Sequence, residues 1–336
     1  MTRTAPQRPG RIAPASLAAL AIAFGASRLI ESEIVLSLLT QAAIYAVFAT
    51  ALGLLLRQNG MVSFGHAAFF GLSAYVVAIL LRDTGLSAEA AILISLAGLA
   101  LFALLLGLVI VRVPGIAFAM LTLALGQLFY QLALQSRTLT GGADGISIDW
   151  PDEIFGVSLS TLLTPGVLFM TTWTVLIVSV ALLVRLHRSR FGLTTEAIRD
   201  NPERATFIGI RLMMPRVLIF VLSAVLTGLA GVLAALNTGF ISPESMHWSV
   251  SGTALMMVVV GGYGRVWGPA LGAVVFIVAK DLIGDFSTHW LSLFGVALII
   301  VVVFTDSGLS GALQKLAARG GRGHASRTPA GKPQRG

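Results

Sequence analysis

Six polar side chains stand inside otherwise apolar runs: Ser63, His66, Thr122, Gln127, Tyr130 and Asn237. None is a carboxylate or a permanent cation, so together they offer dipoles rather than charge. That equipment suits wetting a translocation path, where an amphipathic solute needs dipoles at its charged end and apolar walls along its side chain. The same groups also serve as hydrogen bonds between helices buried in a membrane. His66 in principle can relay protons, but no carboxylate accompanies it in its apolar run. A second constellation lies in the polar stretch Arg185–Arg216, which carries Arg185, Arg188, Arg190, Arg199, Arg204, Arg211 and Arg216. Within it, Glu196, Arg199, Asn201, Pro202, Glu203, Ala205 and Gly209 have the types and spacing of an ordered docking surface.

The local signals in that stretch read as two short helices. Thr194 or Thr195 is placed to cap the first, running through Arg199, with Glu196 in its first turn where a carboxylate suits the positive end of the helix dipole. Asn201 is a good cap for the second, and Pro202 takes its first position, where a missing N–H costs nothing. Glu203 follows in the first turn, Ala205 and Ile208 lie three apart on one face, and Gly209 supplies a left-handed stop. A helix of about two turns is not stable alone. It packs either on this chain's own helix ends or in a groove of another subunit.

Other chemistries lack their parts. The chain has no cysteine, and its five histidines are scattered at His66, His187, His247, His289 and His324. No Gly-x-x-x-x-Gly-Lys-Ser/Thr occurs, and Gly331–Lys332 is followed by Pro333, so the chain does not cradle ATP phosphates by such a loop. No metal or cofactor is expected on it.

The elements that position these residues follow from composition. The chain is 56% hydrophobic and 11% charged with a mean hydropathy of +0.88, far from a soluble domain. Continuous apolar runs, not alternating ones, argue for helices rather than a barrel. About ten spans are expected, near the roughly 20-residue length that crosses a bilayer: 12–30, 34–56, 61–81, 88–111, 115–135, 166–184, 217–239, 250–263, 267–284 and 290–305. The expected class is thus an all-α, polytopic helical membrane protein. Alternating the spans from a cytoplasmic N-terminus (1–11) puts Arg57, Arg112, the 185–216 loop, Arg265 and a basic, disordered tail (311–336) inside. This is the positive-inside pattern, and it accounts for the net charge of +8 through topology and membrane lipid rather than nucleic acid. Spans 61–81 and 250–263 are weakened by glycines and polar residues, as in segments that pack on protein or line a cavity.

A set of blocks, in order, carries a resemblance. They are Gly60-Met-Val-Ser-Phe-Gly-His-Ala-Ala-Phe-Phe-Gly71, Gly115-Ile-Ala-Phe-Ala-Met-Leu-Thr-Leu-Ala-Leu-Gly-Gln127, Thr140-Gly-Gly-Ala-Asp-Gly145, Ala197-Ile-Arg-Asp-Asn-Pro202, Ile241-Ser-Pro-Glu-Ser245, Met257-Val-Val-Val-Gly-Gly-Tyr-Gly264 and Trp267-Gly-Pro269. Over roughly residues 40 to 310 the chain resembles the LivM-type permeases of branched-chain amino acid ABC importers, and Glu203-x-Ala205-x-x-x-Gly209 resembles the EAA-type signature of importer permeases. At His66 that family often has Gln. The resemblance implies the ABC importer permease fold over 12–310, with the 185–216 loop as the coupling element. It also implies a second permease subunit, two cytoplasmic ATPase subunits that hold the ATP, a periplasmic substrate-binding protein, and a bacterial inner-membrane location with both termini cytoplasmic. The competing readings are an ion-coupled secondary transporter of small polar solutes, for which an intramembrane carboxylate is missing, and a membrane enzyme, for which no cluster of acid or histidine residues appears.

Overall fold

The computed structural model describes residues 32–113 and 115–284, with short pieces at 20–21, 24–25, 30, 292, 295–296 and 308–311. Among these residues six helices are long and apolar enough to cross a membrane. They are α1 (Glu33–Asn59), α2 (His66–Thr84), α3 (Ala88–Ile110), α4 (Ile116–Gln135), α5 (Pro165–Arg188) and, after two short helices α6 (Arg190–Asp200) and α7 (Pro202–Phe207), α8 (Met213–Thr238). Two shorter helices follow, α9 (Trp248–Gly261) and α10 (Gly268–Gly284). At about 1.5 Å per residue α9 reaches only ~21 Å, short of the ~30 Å hydrocarbon layer, and α10 is described as far as Gly284. The expected spans 12–30 and 290–305, the N-terminal 1–11 and nearly all of the tail 311–336 lie outside the described residues.

Burial separates the helices into two roles. In the spanning windows of α1 and α8, 61% and 67% of residues are buried, against 22% in α3 and in α4. The first pair therefore forms the centre, and α3 and α4 turn Leu93, Leu101, Leu105, Ile116, Met120 and Leu128 outward. Outward apolar side chains are the expected surface of a protein whose solvent is lipid. The central crossing of α2 and α8 is close enough to need glycine. A Cβ on Gly231 would lie 1.9 Å from the Phe70 carbonyl oxygen, and Ser73 Oγ bridges the same crossing by donating to the Gly228 carbonyl at 2.7 Å.

The bundle has two distinct ends. At one, the C-termini of α1, α5 and α9 meet the α6–α7 loop and the start of α8, with most of the arginines. At the other, the two-stranded ladder of β1 (Ile146–Ser147) and β4 (Phe240–Ile241) joins the α4–α5 connection to the end of α8. Beside it a small hairpin, β2 (Glu153–Ile154) and β3 (Val157–Ser158), is fastened by Glu89 of α3, which accepts from the Phe155 N–H.

One expected span is shorter than its apolar run. Helix α2 begins at His66, and Met61–Gly65 is non-helical. The reason is steric and polar together. A Cβ on Gly65 would fall 2.2 Å from the Thr122 carbonyl oxygen of α4, so this stretch passes too near α4 to coil.

Gly231→Ala is expected to separate α2 from α8. Overpacking a tight core costs about 3 kcal/mol or more when backbone is the obstacle. The thermal midpoint of the detergent-extracted protein should fall clearly, and a midpoint equal to the parent's would show that this crossing does not limit stability.

Candidate functional site

Leaving the helix at Gly60 frees backbone donors that must be satisfied within the protein, because lipid offers no acceptors. Side chains supply them. Thr122 Oγ accepts from the Phe64 N–H at 3.2 Å, Ser63 Oγ from the Gly65 N–H at 3.3 Å, and Ser251 Oγ of α9 from the Ala67 N–H at 2.7 Å. His66 is wholly enclosed and bonded at both ring nitrogens, Nδ1 to Ser63 Oγ at 2.7 Å and Nε2 to Ser223 Oγ at 3.0 Å. Ser223 gives its only proton to the Ala51 carbonyl at 2.6 Å. It must therefore accept from His66, so the proton sits on Nε2 and Nδ1 accepts from Ser63. Phe69 and Phe220 meet the ring edge-on at 5.4 and 5.7 Å. The adjoining void, lined by Ser63, Thr122, Phe69, Phe129 and Phe220, has about 10 Å³ of room, which admits a single water at most.

Ser63, His66 and Thr122 are thus brought together, and their hydrogen-bonding capacity is used within the protein. Gln127 and Tyr130 stand three apart on α4, on one face. Gln127 Oε1 is buried with no partner. Tyr130 donates to Glu244 at 3.0 Å and its ring meets that of His247 at 5.0 Å, which places it at the end of the bundle bearing the β1–β4 ladder. Asn237 is half-buried one residue before the end of α8.

The opposite end holds the loop residues. Helix α6 starts earlier than the sequence indicates. Ser189, not Thr194 or Thr195, caps it by accepting from the Gly192 N–H at 3.1 Å. Thr195 is instead buried in mid-helix and donates to Gln58 of α1 at 2.6 Å; a tertiary partner outcompetes a cap. Asn201 caps α7 by accepting from the Arg204 N–H at 2.9 Å, with Pro202 at its first position. Gly209, at φ 82°, ends it, with Gly209 N–H to Thr206 O at 2.9 Å and Ile210 N–H to Ala205 O at 3.0 Å, the paired bonds of a Schellman stop. Ala205 is buried, but Ile208 does not share its face. Ile208 and Phe207 are 71% and 90% exposed, because the chain turns at Gly209 before Ile208 can face inward. Glu196 lies 3.7 Å from Arg57 Nε and 3.3 Å from His187 Nδ1, and Arg199 donates to the Arg57 carbonyl. Among the described residues no group of acids and histidines is arranged to hold a metal ion.

Residues 34–303 match the family described as branched-chain amino acid transport system / permease component. The chain belongs to that family. It is a multi-pass membrane permease and not an enzyme. It is 29% identical over 292 residues to the high-affinity branched-chain amino acid transport system permease protein LivM of Salmonella typhimurium, covering 80% of this chain and 68% of that one. To LivM of Escherichia coli K12 it is 28% identical over 286 residues, 79% of this chain and 67% of the relative. The permease protein LivH of S. typhimurium matches at 28% over 152 residues, 45% of this chain and 47% of that one. No solved structure matches the chain.

Arg57, Gln58, His187, Ser223 and Ser251 complete these two clusters without a local signal of their own. Each is an ordinary residue near a helix end or among small residues, and only its long-range partner distinguishes it.

His66→Gln should keep transport and cost under about 1 kcal/mol, since one amide can accept from Ser63 and donate to Ser223. His66→Leu, which orphans both serines, should cost roughly 1–3 kcal/mol per lost partner. Uptake and thermal midpoint decide. Loss of uptake in the Gln variant at normal stability would instead mark His66 as a proton carrier.

Proposed function

We propose that this chain is the transmembrane permease subunit of an ATP-binding cassette importer that carries branched-chain or related amino acids delivered by a periplasmic binding protein. The observation that carries this reading is the two-faced α6–α7 loop. One face is held to α1 and α5 by Thr195, Glu196 and Arg199, while the tip presents Phe207 and Ile208 to solvent. Burying one such side chain on a partner contributes about 1.5–3 kcal/mol. The partner is a cytoplasmic ATPase subunit, and α7 is the coupling helix that enters its groove, with Glu196, Arg199, Asn201, Pro202, Glu203, Ala205 and Gly209 shaping it.

Two such ATPases hold the ATP, and a second, related permease completes the membrane part. That two differently named permeases of S. typhimurium both match this chain supports a paired arrangement. ATP-driven closure of the motors moves the loop and rocks the spans between outward and inward openings. The path follows the α4 face bearing Gln127 and Tyr130, together with Asn237. Ser63, His66 and Thr122 brace the break beside it. The protein lies in the bacterial inner membrane with the basic end, 185–216 and both termini in the cytoplasm, following the arginine distribution.

Affinity purification of the tagged chain from its own cell in mild detergent tests the assembly. Two ATPase subunits and a second permease are expected; recovery of the chain alone, where other ABC complexes survive, would favour an ion-coupled transporter. Glu203→Arg and Phe207→Asp should leave the protein in the membrane and lower ATPase recovery at least about tenfold, from the loss of roughly 1.4 kcal/mol or more at the contact. Normal uptake in both would refute the coupling-helix assignment.

A further inference from the structure

The turn between α9 and α10 is held by backbone contact. A Cβ on Gly261 would lie 2.0 Å from the Gly268 carbonyl oxygen, and one on Gly272 would lie 2.0 Å from the Met257 carbonyl oxygen. Helices packed this closely move as one body, because no side chain lies between them to yield. The pair is therefore a closely packed hairpin whose turn lies at the basic end. At its turn the Gly264 carbonyl points to α1 and accepts from Arg57 Nη1.

The same guanidinium reaches two other elements. Its Nη2 lies 2.7 Å from His187 Nε2 at the end of α5, and its Nε lies 3.7 Å from Glu196 on α6. Arginine has no acceptor, so His187 accepts at Nε2, while its Nδ1 lies 3.2 Å from Gln58 Nε2 and 3.3 Å from Glu196. Arg199 of α6 closes the circuit by donating to the backbone carbonyl of Arg57 itself. A planar fork with five donors can hold partners on three elements at once, which a lysine ammonium on its single stem cannot.

We propose that Arg57 is the transmission residue of this permease: its guanidinium donates to the Gly264 carbonyl of the α9–α10 hairpin and faces Glu196 across a 3.7 Å ion pair, while its own carbonyl accepts from Arg199 of the loop, so displacing the loop displaces the hairpin. This rests on the reading that the loop docks an ATPase. Two features make Arg57 suited to it. It sits at the basic end of a helix whose remaining length is deeply buried, and its side chain is 16% exposed, sheltered enough for its ion pair to resist screening. A purely structural arginine would stabilise the junction in every state. A transmitting one sets how much solute moves for each ATP consumed.

The test reconstitutes the chain in vesicles with its ATPase subunits, second permease and binding protein, and reads ATP hydrolysis and labelled leucine uptake in one sample. Arg57→Met and Arg57→Lys are expected to assemble and to hydrolyse ATP within about twofold of the parent, while leucine moved per ATP falls about tenfold or more. Spin labels on the exposed Leu193 and Tyr263 should hold a constant separation in the parent when a non-hydrolysable nucleotide is added, and change separation in the variants. Unchanged uptake per ATP overturns the proposal. If Arg57→Met does not assemble, the lysine variant decides by the same ratio; if neither assembles, Arg57 is a folding residue and the proposal fails. Failure of the parent chain to bring down ATPase subunits is a separate result and strikes the importer reading itself.

Discussion

A backbone amide in hydrocarbon has no water to turn to, and much of this structure follows from meeting that demand at one place. Where α1 ends at Gly60 and α2 has not begun, the extended stretch to Gly65 would leave donors exposed to a medium without acceptors. Thr122, Ser63 and Ser251 come from three separate parts of the chain to accept from Phe64, Gly65 and Ala67. These bonds bind α4 and α9 to the start of α2. His66 then ties Ser63 to Ser223 of α8, and a single polar cluster fixes how the central helices cross. Side chains so fully engaged support the path better than they contact its cargo.

At the basic end the same logic operates with charge. Several arginines gather in a small volume, an arrangement that repels unless each finds acceptors. Carbonyl oxygens at Arg57 and Gly264 and the Glu196 carboxylate provide them. The loop that looks like a tether is accordingly seated: α6 and α7 are each too short to persist alone, and α6 is kept by contact with α1 and α5 while α7 packs on α6. Seating one face leaves the other free, which is how Phe207 and Ile208 come to project.

The far end has a different character. A short ladder and a hairpin replace long helices there, and Tyr130, Glu244 and His247 form a polar mouth.

Much of the fold was legible in the sequence because its signals are local. Apolar run length places α1, α3, α4, α5 and α8 within a few residues, and Asn201, Pro202 and Gly209 bound α7 by their own backbone preferences. Where the reading went astray, a distant partner had overruled a local preference. Thr195 left its capping role for Gln58, the first turn of span 61–81 was displaced by α4, and Ile208 was turned outward by the stop that follows it. By itself the sequence determined that this is a helical membrane protein with an ordered basic loop, since hydropathy, charge asymmetry and caps act over a few residues. Only the tertiary structure decided that Arg57 meets the hairpin at Gly264 and that His66 meets Ser223, because those partners lie more than a hundred residues away along the chain.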